Sequence, residues 1–185
     1  MSVLSGIRRY IAADDPLVAA GNQIAIVVAW NQPFYPLYIY WLVGGDIGVP
    51  FLVLLSTPLY LAVPVIARCD SLAGRALLPL AGIANTMLGA KLFGEASGVE
   101  LFLVPCAMAA AMLFRRSDRL VMLPLVGLTL LVYLGLHGHY GVPVHVYTAA
   151  EYARFLALNA VSVGTLTAFI GIVFANALAA IEDRR

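Results

Sequence analysis

The chain has 185 residues, of which 62% are hydrophobic and 11% are charged. Soluble domains carry about 25% charged residues, so this composition excludes an ordinary soluble domain and is typical of integral membrane proteins. The net charge is +1, and basic residues occur only in small groups, which gives no indication of a nucleic-acid partner. We therefore expect one all-α domain over residues 1–185, with the lipid bilayer as its main partner.

A short helix is predicted before the first long apolar run. Within residues 1–14, Ile7 and Ile11 lie on one helical face and Arg8 and Arg9 on the opposite one. That pattern is typical of a helix lying in a membrane interface. The segment Asp14-Asp15-Pro16 then supplies an acidic N-cap and a first-turn proline for the next helix.

Six apolar runs predict a bundle of six transmembrane helices. About 20 apolar residues are needed to cross a hydrocarbon core of roughly 30 Å. The runs lie at residues 17–43, 48–67, 72–93, 98–114, 120–136 and 155–180.

The basic residues predict how this bundle is oriented. Only Lys91 and Arg154 fall on one side of the predicted spans, and the other nine basic residues fall on the opposite side. By the positive-inside rule, we expect both termini in the cytoplasm and the protein in the bacterial inner membrane. The nine are arginines 8, 9, 68, 75, 115, 116, 119, 184 and 185.

Polar residues in the middle of two spans predict a ligand pocket. Asn31 and Gln32 stand near the centre of the first span, beside two prolines, and Asn85 lies at comparable depth in the third. Proline frees a backbone carbonyl one turn earlier, so this region should face the bundle interior. Trp30 and Phe34 are deep enough to wall a cavity. Alternatively, the amides only join neighbouring helices and the kinked backbone.

Small residues form a stripe along the last span. Gly164, Ala168, Gly171 and Ala175 are spaced by four, three and four residues, which places them on one helical face. Such a face lets another helix approach closely. The partner is either a helix of the same bundle or a neighbouring chain, in a homodimer or beside unlike membrane subunits.

All three histidines lie in one predicted outer loop, HGHYGVPVHVY, residues 137–147. Alternation places His137 and His139 on one side, and a turn at the glycines and proline would return His145 towards them. Three imidazoles can bind zinc or copper. An interfacial loop without metal and a proton sensor are the alternatives. Four acidic residues on the same predicted side could add a ligand: Asp46, Glu95, Glu100 and Glu151.

A catalytic function has little support in the sequence. No serine or cysteine nucleophile with a neighbouring base is recognisable, and no glycine-rich phosphate loop is present. The predicted spans also lack acidic residues in the membrane interior, which argues against a proton-coupled transporter. We expect no catalytic residues.

Two stretches resemble a known family. GVELFLVPCAMAAAMLFRRSDRL, residues 98–120, resembles the fourth span and basic turn of six-helix membrane domains in bacterial class III adenylate cyclases and histidine kinases. LNAVSVGTLTAFIGIVFANALAAIEDRR, residues 158–185, is similar to their exit helix. The resemblance implies ligand sensing or anchoring, dimerisation and a signal along that helix.

Three functions follow as expectations. The first is a sensor that binds a small ligand or senses the membrane; because the chain ends at Arg185, where an effector domain would begin, it would signal through a dimer or a separate partner. The second is a non-catalytic accessory subunit of a larger membrane complex. The third is a membrane protein that binds metal through the histidine loop.

Overall fold

The computed structural model describes residues 3–45 and 47–183. Three residues used in the predictions lie outside the described residues: Asp46, a possible additional metal ligand, and Arg184 and Arg185, two of the basic residues that predict the orientation. Within them the chain is helical and contains no strand. The α-helices are α1 Val3–Ile11, α2 Pro16–Asn31, α3 Tyr35–Tyr38, α4 Thr57–Cys69, α5 Ser71–Phe93, α6 Leu103–Met112, α7 Arg119–Leu136 and α8 Ala149–Glu182.

Four helical segments of the described chain are long and apolar enough to cross a membrane. This confirms the all-α membrane class. The other two predicted spans do not reach that criterion: residues 98–114 form a shorter apolar helix, Val99–Met112, and residues 17–43 are divided into consecutive segments. The four segments are Val49–Cys69, Ser71–Phe93, Arg116–Leu136 and Ala149–Glu182.

The first predicted span changes helix type at its prolines. After α2, residues Gln32–Phe34 form a 3₁₀ turn, α3 follows, and Ile39–Val43 is a π-helical turn. Proline has no amide hydrogen and cannot extend regular α-helical bonding, which accounts for the change. The C-terminal end of this π-helical turn is bound by Arg154 of α8, whose Nη2 donates to the carbonyl of the buried Val43 at 2.7 Å.

Helix α8 begins two turns before the predicted start at residue 155. A capping box explains this: the Thr148 Oγ1 accepts from the Glu151 amide at 3.3 Å, and the Glu151 carboxylate accepts from the Thr148 amide at 2.8 Å. These bonds satisfy amides that the first turn of a helix otherwise leaves unpaired. Glu151 therefore caps a helix, although the sequence suggested it as an additional metal ligand.

One end of the bundle, here called the arginine end, is joined by arginine side chains. Arg75 of α5 is buried, and its Nη1 donates to the Leu113 carbonyl at 2.8 Å and to Asp118 at 3.1 Å. Its guanidinium also lies 5.3 Å from the centre of the Phe114 ring. A buried charge needs such partners, so Arg75 fixes the α6–α7 turn against α5.

Further contacts bring α1, α2 and α4 to the same arginine end. Asp15 caps α2, as predicted, by accepting from the Leu17 amide at 2.9 Å, and it forms an ion pair with Arg115 at 2.9 Å. Arg68 of α4 donates to the Tyr10 carbonyl of α1 at 2.9 Å. Three of the nine basic residues grouped by the sequence pattern, Arg68, Arg75 and Arg115, thus lie at the same end.

The opposite end, here called the histidine end, carries the loop of residues 137–148. The Lys91 Nζ donates to the Val142 carbonyl at 2.9 Å, and the His145 amide donates to the Leu92 carbonyl at 3.1 Å. The loop is therefore held against the C-terminal end of α5.

Two main groups of buried side chains fill the bundle. The larger group lies towards the arginine end and includes Leu17, Ile24, Val63, Leu78, Leu113 and Val173. The second lies towards the histidine end and consists of Ile39, Val43, Val53, Leu92, Phe93, Tyr147 and Phe155. The space between these groups positions the candidate site.

Helices α4 and α5 approach most closely at Gly74. A Cβ added there would lie 2.5 Å from the Ala67 Cα, which is backbone and cannot rotate away. Gly127 in α7 is a matched position, because an added Cβ there meets no atom within 4 Å.

We expect Gly74→Ala to destabilise the bundle by roughly 1–3 kcal/mol, because overpacking forces the two helices apart. Gly127→Ala should be neutral or stabilising, because alanine favours the helix. Thermal unfolding in detergent, followed by circular dichroism, measures both. Equal midpoints for the two variants would contradict the close approach.

Candidate functional site

A cavity of about 520 Å³ lies between α2, α5, α6 and α8. It separates the two main buried groups and takes side chains from both, for example Leu78 from one and Phe93 from the other. Its walls are mostly aliphatic and aromatic. A cavity of this size with few polar groups is typical of a small-molecule site.

The cavity brings together four of the five residues predicted to form a pocket. Trp30, Asn31, Gln32 and Asn85 all line it. Phe34 does not; its ring lies 6.4 Å from that of Trp30 and is 40% exposed. The 3₁₀ turn at Gln32–Phe34 accounts for this. It has three residues per turn instead of about 3.6, so the Phe34 side chain points in a different direction from the one that α-helical spacing predicts.

Gln32 uses both ends of its amide within the protein. The Nε2 donates to the Ser56 Oγ at 2.6 Å, and the Oε1 accepts from the Thr57 hydroxyl. Gln32 is buried, so these bonds remove the penalty of an unpaired polar group in an apolar region. Gln32 therefore joins the first helical path to Val49–Cys69, and its amide has little capacity left for a ligand.

Asn85 retains hydrogen-bonding capacity towards the cavity. The Ser56 Oγ lies 2.7 Å from the Asn85 Oδ1 and 2.9 Å from the Val53 carbonyl. A hydroxyl has one hydrogen, so it donates to only one of these oxygens at a time. The Asn85 amide nitrogen can donate two further hydrogen bonds. Together with Asn31, Asn85 gives the apolar cavity a polar wall.

Asn159 of α8 is a functional candidate that was missed in the sequence. It is fully buried, and its Oδ1 accepts from the Tyr35 hydroxyl at 2.7 Å while its Nδ2 donates to the Ser97 carbonyl at 2.9 Å. Tyr35 lines the cavity. An asparagine within an apolar span was a usable signal, because such residues rarely lie in a membrane without a partner.

The cavity opens between α2 and α8. The exposed residues of its lining all come from these two helices: Val27, Trp30, Asn31, Val161 and Thr165. Trp30 and Val161 are 69% and 70% exposed. The opening therefore lies on the side of the bundle, between the arginine end and the histidine end.

A second group of polar side chains lies at the histidine end. The His137 Nδ1 is 2.7 Å from the Glu100 Oε2 and 3.7 Å from the Glu95 Oε2. We call these three residues the carboxylate–histidine cluster; one ligand atom from each lies within 4.8 Å of the others. The hydrogen bond to Glu100 raises the pKa of the half-exposed His137 imidazole above its usual value, and nearby negative charge adds to the effect.

The structure does not bring the three histidines together. His139 Nδ1 lies 3.0 Å from the His137 carbonyl, and the His145 ring packs edge-on against Tyr147 with ring centres 4.5 Å apart. The imidazoles of His139 and His145 lie outside the carboxylate–histidine cluster. The left-handed conformation of Gly138 (φ 78°) redirects the chain directly after His137, and spacing alone did not predict that turn.

The small-residue stripe of α8 lies mostly on the outer surface. Gly164, Ala168 and Ala175 are exposed, while Gly171 is partly covered by Met108, whose Cε would lie 3.4 Å from an added Cβ. At Gly164 an added Cβ meets no atom within 4 Å. Most of the stripe is therefore not used for packing within this chain.

Comparison with known proteins finds no matching family model, no matching curated protein and no matching solved structure. The chemistry of the site is read from its own residues. They form a laterally open apolar cavity with an amide wall and, at the histidine end, a cluster of two carboxylates and an imidazole.

Proposed function

We propose that the protein is a membrane-embedded sensor that binds a small, largely apolar molecule bearing one polar group, and that signals through a dimer or a separate partner. The lateral cavity between α2 and α8 carries this proposal. The resemblance of two stretches to bacterial membrane sensor domains supports it. No group in the cavity forms a nucleophile–base pair that would favour an enzyme.

The shape and polarity of the cavity define the ligand class. Apolar walls favour burial of a hydrocarbon portion, because removing such surface from water is favourable. Asn31 and Asn85 can hydrogen-bond a carbonyl, hydroxyl or carboxyl group. An opening on the side of the bundle would admit molecules dissolved in the bilayer. A lipid-like amphiphile, such as a medium-chain fatty acid or a related carbonyl compound, fits these conditions.

We further propose six membrane crossings with both termini in the cytoplasm of a bacterial inner membrane. Contacts of Arg68, Arg75 and Arg115 at one end support this orientation, because the positive-inside rule assigns the end rich in basic residues to the cytoplasm. The proposed crossings are six. The first is the path from α2 to α3, the second is the segment Val49–Cys69 that includes α4, and the remaining four are α5, α6, α7 and α8. Large exposed leucines on α7 support contact with lipid; Leu120 and Leu134 are 84% and 74% exposed.

The orientation is tested with the two natural cysteines. Cys69 is exposed beside Arg68 at the arginine end, and Cys106 is buried. A membrane-impermeant maleimide should label Cys69 in inverted membrane vesicles and leave it unlabelled in intact spheroplasts. Cys69→Ser should remove the label. Labelling from the outside of spheroplasts would contradict the orientation.

The ligand class is tested by fluorescence quenching in lipid bilayers. Trp41→Phe leaves Trp30, at the cavity opening, as the single tryptophan of the chain. At low mole fraction, a brominated fatty acid should quench Trp30 more than its bulk concentration predicts, because it accumulates in the cavity. Adding Asn85→Leu should weaken that excess binding by about fivefold, the equivalent of one hydrogen bond of roughly 1 kcal/mol.

Asn176→Leu is the matched control, because Asn176 is an exposed asparagine of α8 outside the cavity lining. It should leave the excess quenching unchanged. Two results would contradict ligand binding in the cavity. One is quenching that only follows the mole fraction of brominated fatty acid in the bilayer, and the other is equal quenching in the chain with Asn85 and in the Asn85→Leu variant.

The exposed small-residue stripe supports association through α8, either in a sensor dimer or, in the alternative function, with unlike subunits of a larger complex. Gly164→Leu should disrupt that association without disturbing the fold, because it fills the groove where no atom of the same chain lies within 4 Å. Cross-linking in native membranes followed by mass spectrometry measures it. Gly127→Leu is the control on α7; equal cross-linking of both variants would exclude the stripe.

A further inference from the structure

The carboxylate–histidine cluster contains a buried oxygen without a partner. The Glu100 side chain is only 7% exposed, and its Oε2 lies 2.7 Å from the His137 Nδ1. Its other oxygen, Oε1, is buried and has no hydrogen-bond partner in the described part of the chain. Buried carboxylate oxygens are normally paired, so this one indicates a missing partner.

The charges around Glu100 indicate that the missing partner is a cation. Glu95 places a second carboxylate in the same cluster, so two acidic side chains lie close together there. His137 supplies at most one positive charge, and its side chain is 51% exposed. A divalent ion bound at the Glu100 Oε2 would neutralise both carboxylates, and the ion or a water bound to it would give the unpaired Oε1 a partner.

We propose that Glu95, Glu100 and His137 bind one divalent transition-metal ion, of which zinc is the representative. The imidazole favours zinc, nickel or copper over magnesium and calcium, which prefer oxygen ligands alone. Three protein ligands leave one tetrahedral position for water.

The existing distances are close to those of a zinc site. Zinc binds nitrogen and oxygen at about 2.0–2.2 Å, so tetrahedral ligand atoms lie roughly 3.2–3.6 Å apart. The 3.7 Å separation of the His137 Nδ1 and the Glu95 Oε2 is near this range. The 2.7 Å contact with Glu100 must widen by roughly half an ångström, as the metal replaces the shared proton.

Neighbouring groups hold His137 and Glu95 in place. The His137 ring stacks on Tyr133, with ring centres 4.9 Å apart. The Glu95 Oε1 accepts from the Gly138 amide at 2.6 Å, which leaves its Oε2 for the ion. Such supporting contacts orient metal ligands in proteins. The Tyr140 hydroxyl is also buried without a hydrogen-bond partner among the described residues.

A bound ion would join two segments that are distant in sequence. Glu95 and Glu100 lie in the turn between α5 and α6, and His137 follows the last residue of α7. The ion would thus close the histidine end of the bundle.

The test uses the full chain purified without a histidine tag, stripped with chelator and dialysed against zinc alone. We expect one zinc per chain by elemental mass spectrometry, with affinity measured by calorimetry. Glu100→Gln and His137→Asn should each weaken binding by at least about tenfold, because each removes a ligand. His139→Asn is the matched control in the same loop and should bind as the original chain does.

Three results would overturn the proposal: no zinc bound at micromolar concentration, binding unchanged in both ligand variants, or binding lost in His139→Asn, which would indicate a site of histidines instead. Circular dichroism checks that each variant is folded. If Glu100→Gln does not fold, His137→Asn decides the question, because its side chain is half-exposed and its loss leaves the core intact.

Discussion

An amide within an apolar layer must find its partners inside the protein, and the bonds of Gln32 are the clearest case of this constraint. Two prolines interrupt the first helical path directly after it, and Ser56 and Thr57 satisfy its side chain from the neighbouring helix. The interrupted path is thereby held against the bundle. The cavity lies at the level of this interruption, with Trp30 before it and Tyr38 after it in the lining.

The same constraint explains why the two ends of the bundle differ. At the arginine end, guanidinium groups donate to carbonyls and carboxylates, as Arg75 does to Leu113 and Asp118. At the histidine end, the described carboxylates of Glu95, Glu100 and Glu151 outnumber the two basic side chains, Lys91 and Arg154, and the Glu100 Oε1 is left without a hydrogen-bond partner among the described residues. The excess of acceptors at this end is the physical basis for assigning a cation to it.

The hydropathy of the sequence was enough to predict that the chain is helical and roughly where most helices lie. It was not enough to predict which side chains meet, because those contacts depend on the local backbone geometry. The pattern predicted α5 within one residue at its start, because Asp70 caps a continuous apolar run. It placed the start of α8 two turns late, because the capping box of Thr148 and Glu151 lies in polar sequence. Asn31, Gln32 and Asn85 share a cavity as their depth suggested, but the 3₁₀ turn moved Phe34 away from it. The left-handed turn at Gly138 separated His137 from the other histidines, and no spacing rule predicts that turn.

A chain of hydrogen bonds connects the cavity with the turn that carries the carboxylates. Tyr35 in the cavity wall donates to Asn159, and Asn159 donates to the carbonyl of Ser97, which lies between Glu95 and Glu100. The turn adopts positive φ angles at Gly94 (81°) and Gly98 (73°), which side chains other than glycine rarely allow. Coupling between sites requires an element with two arrangements that both sites bias. This turn carries Glu95 and Glu100 and is bonded through Asn159 to Tyr35 in the cavity wall, so it is the element that physically joins the cavity to the proposed cation site.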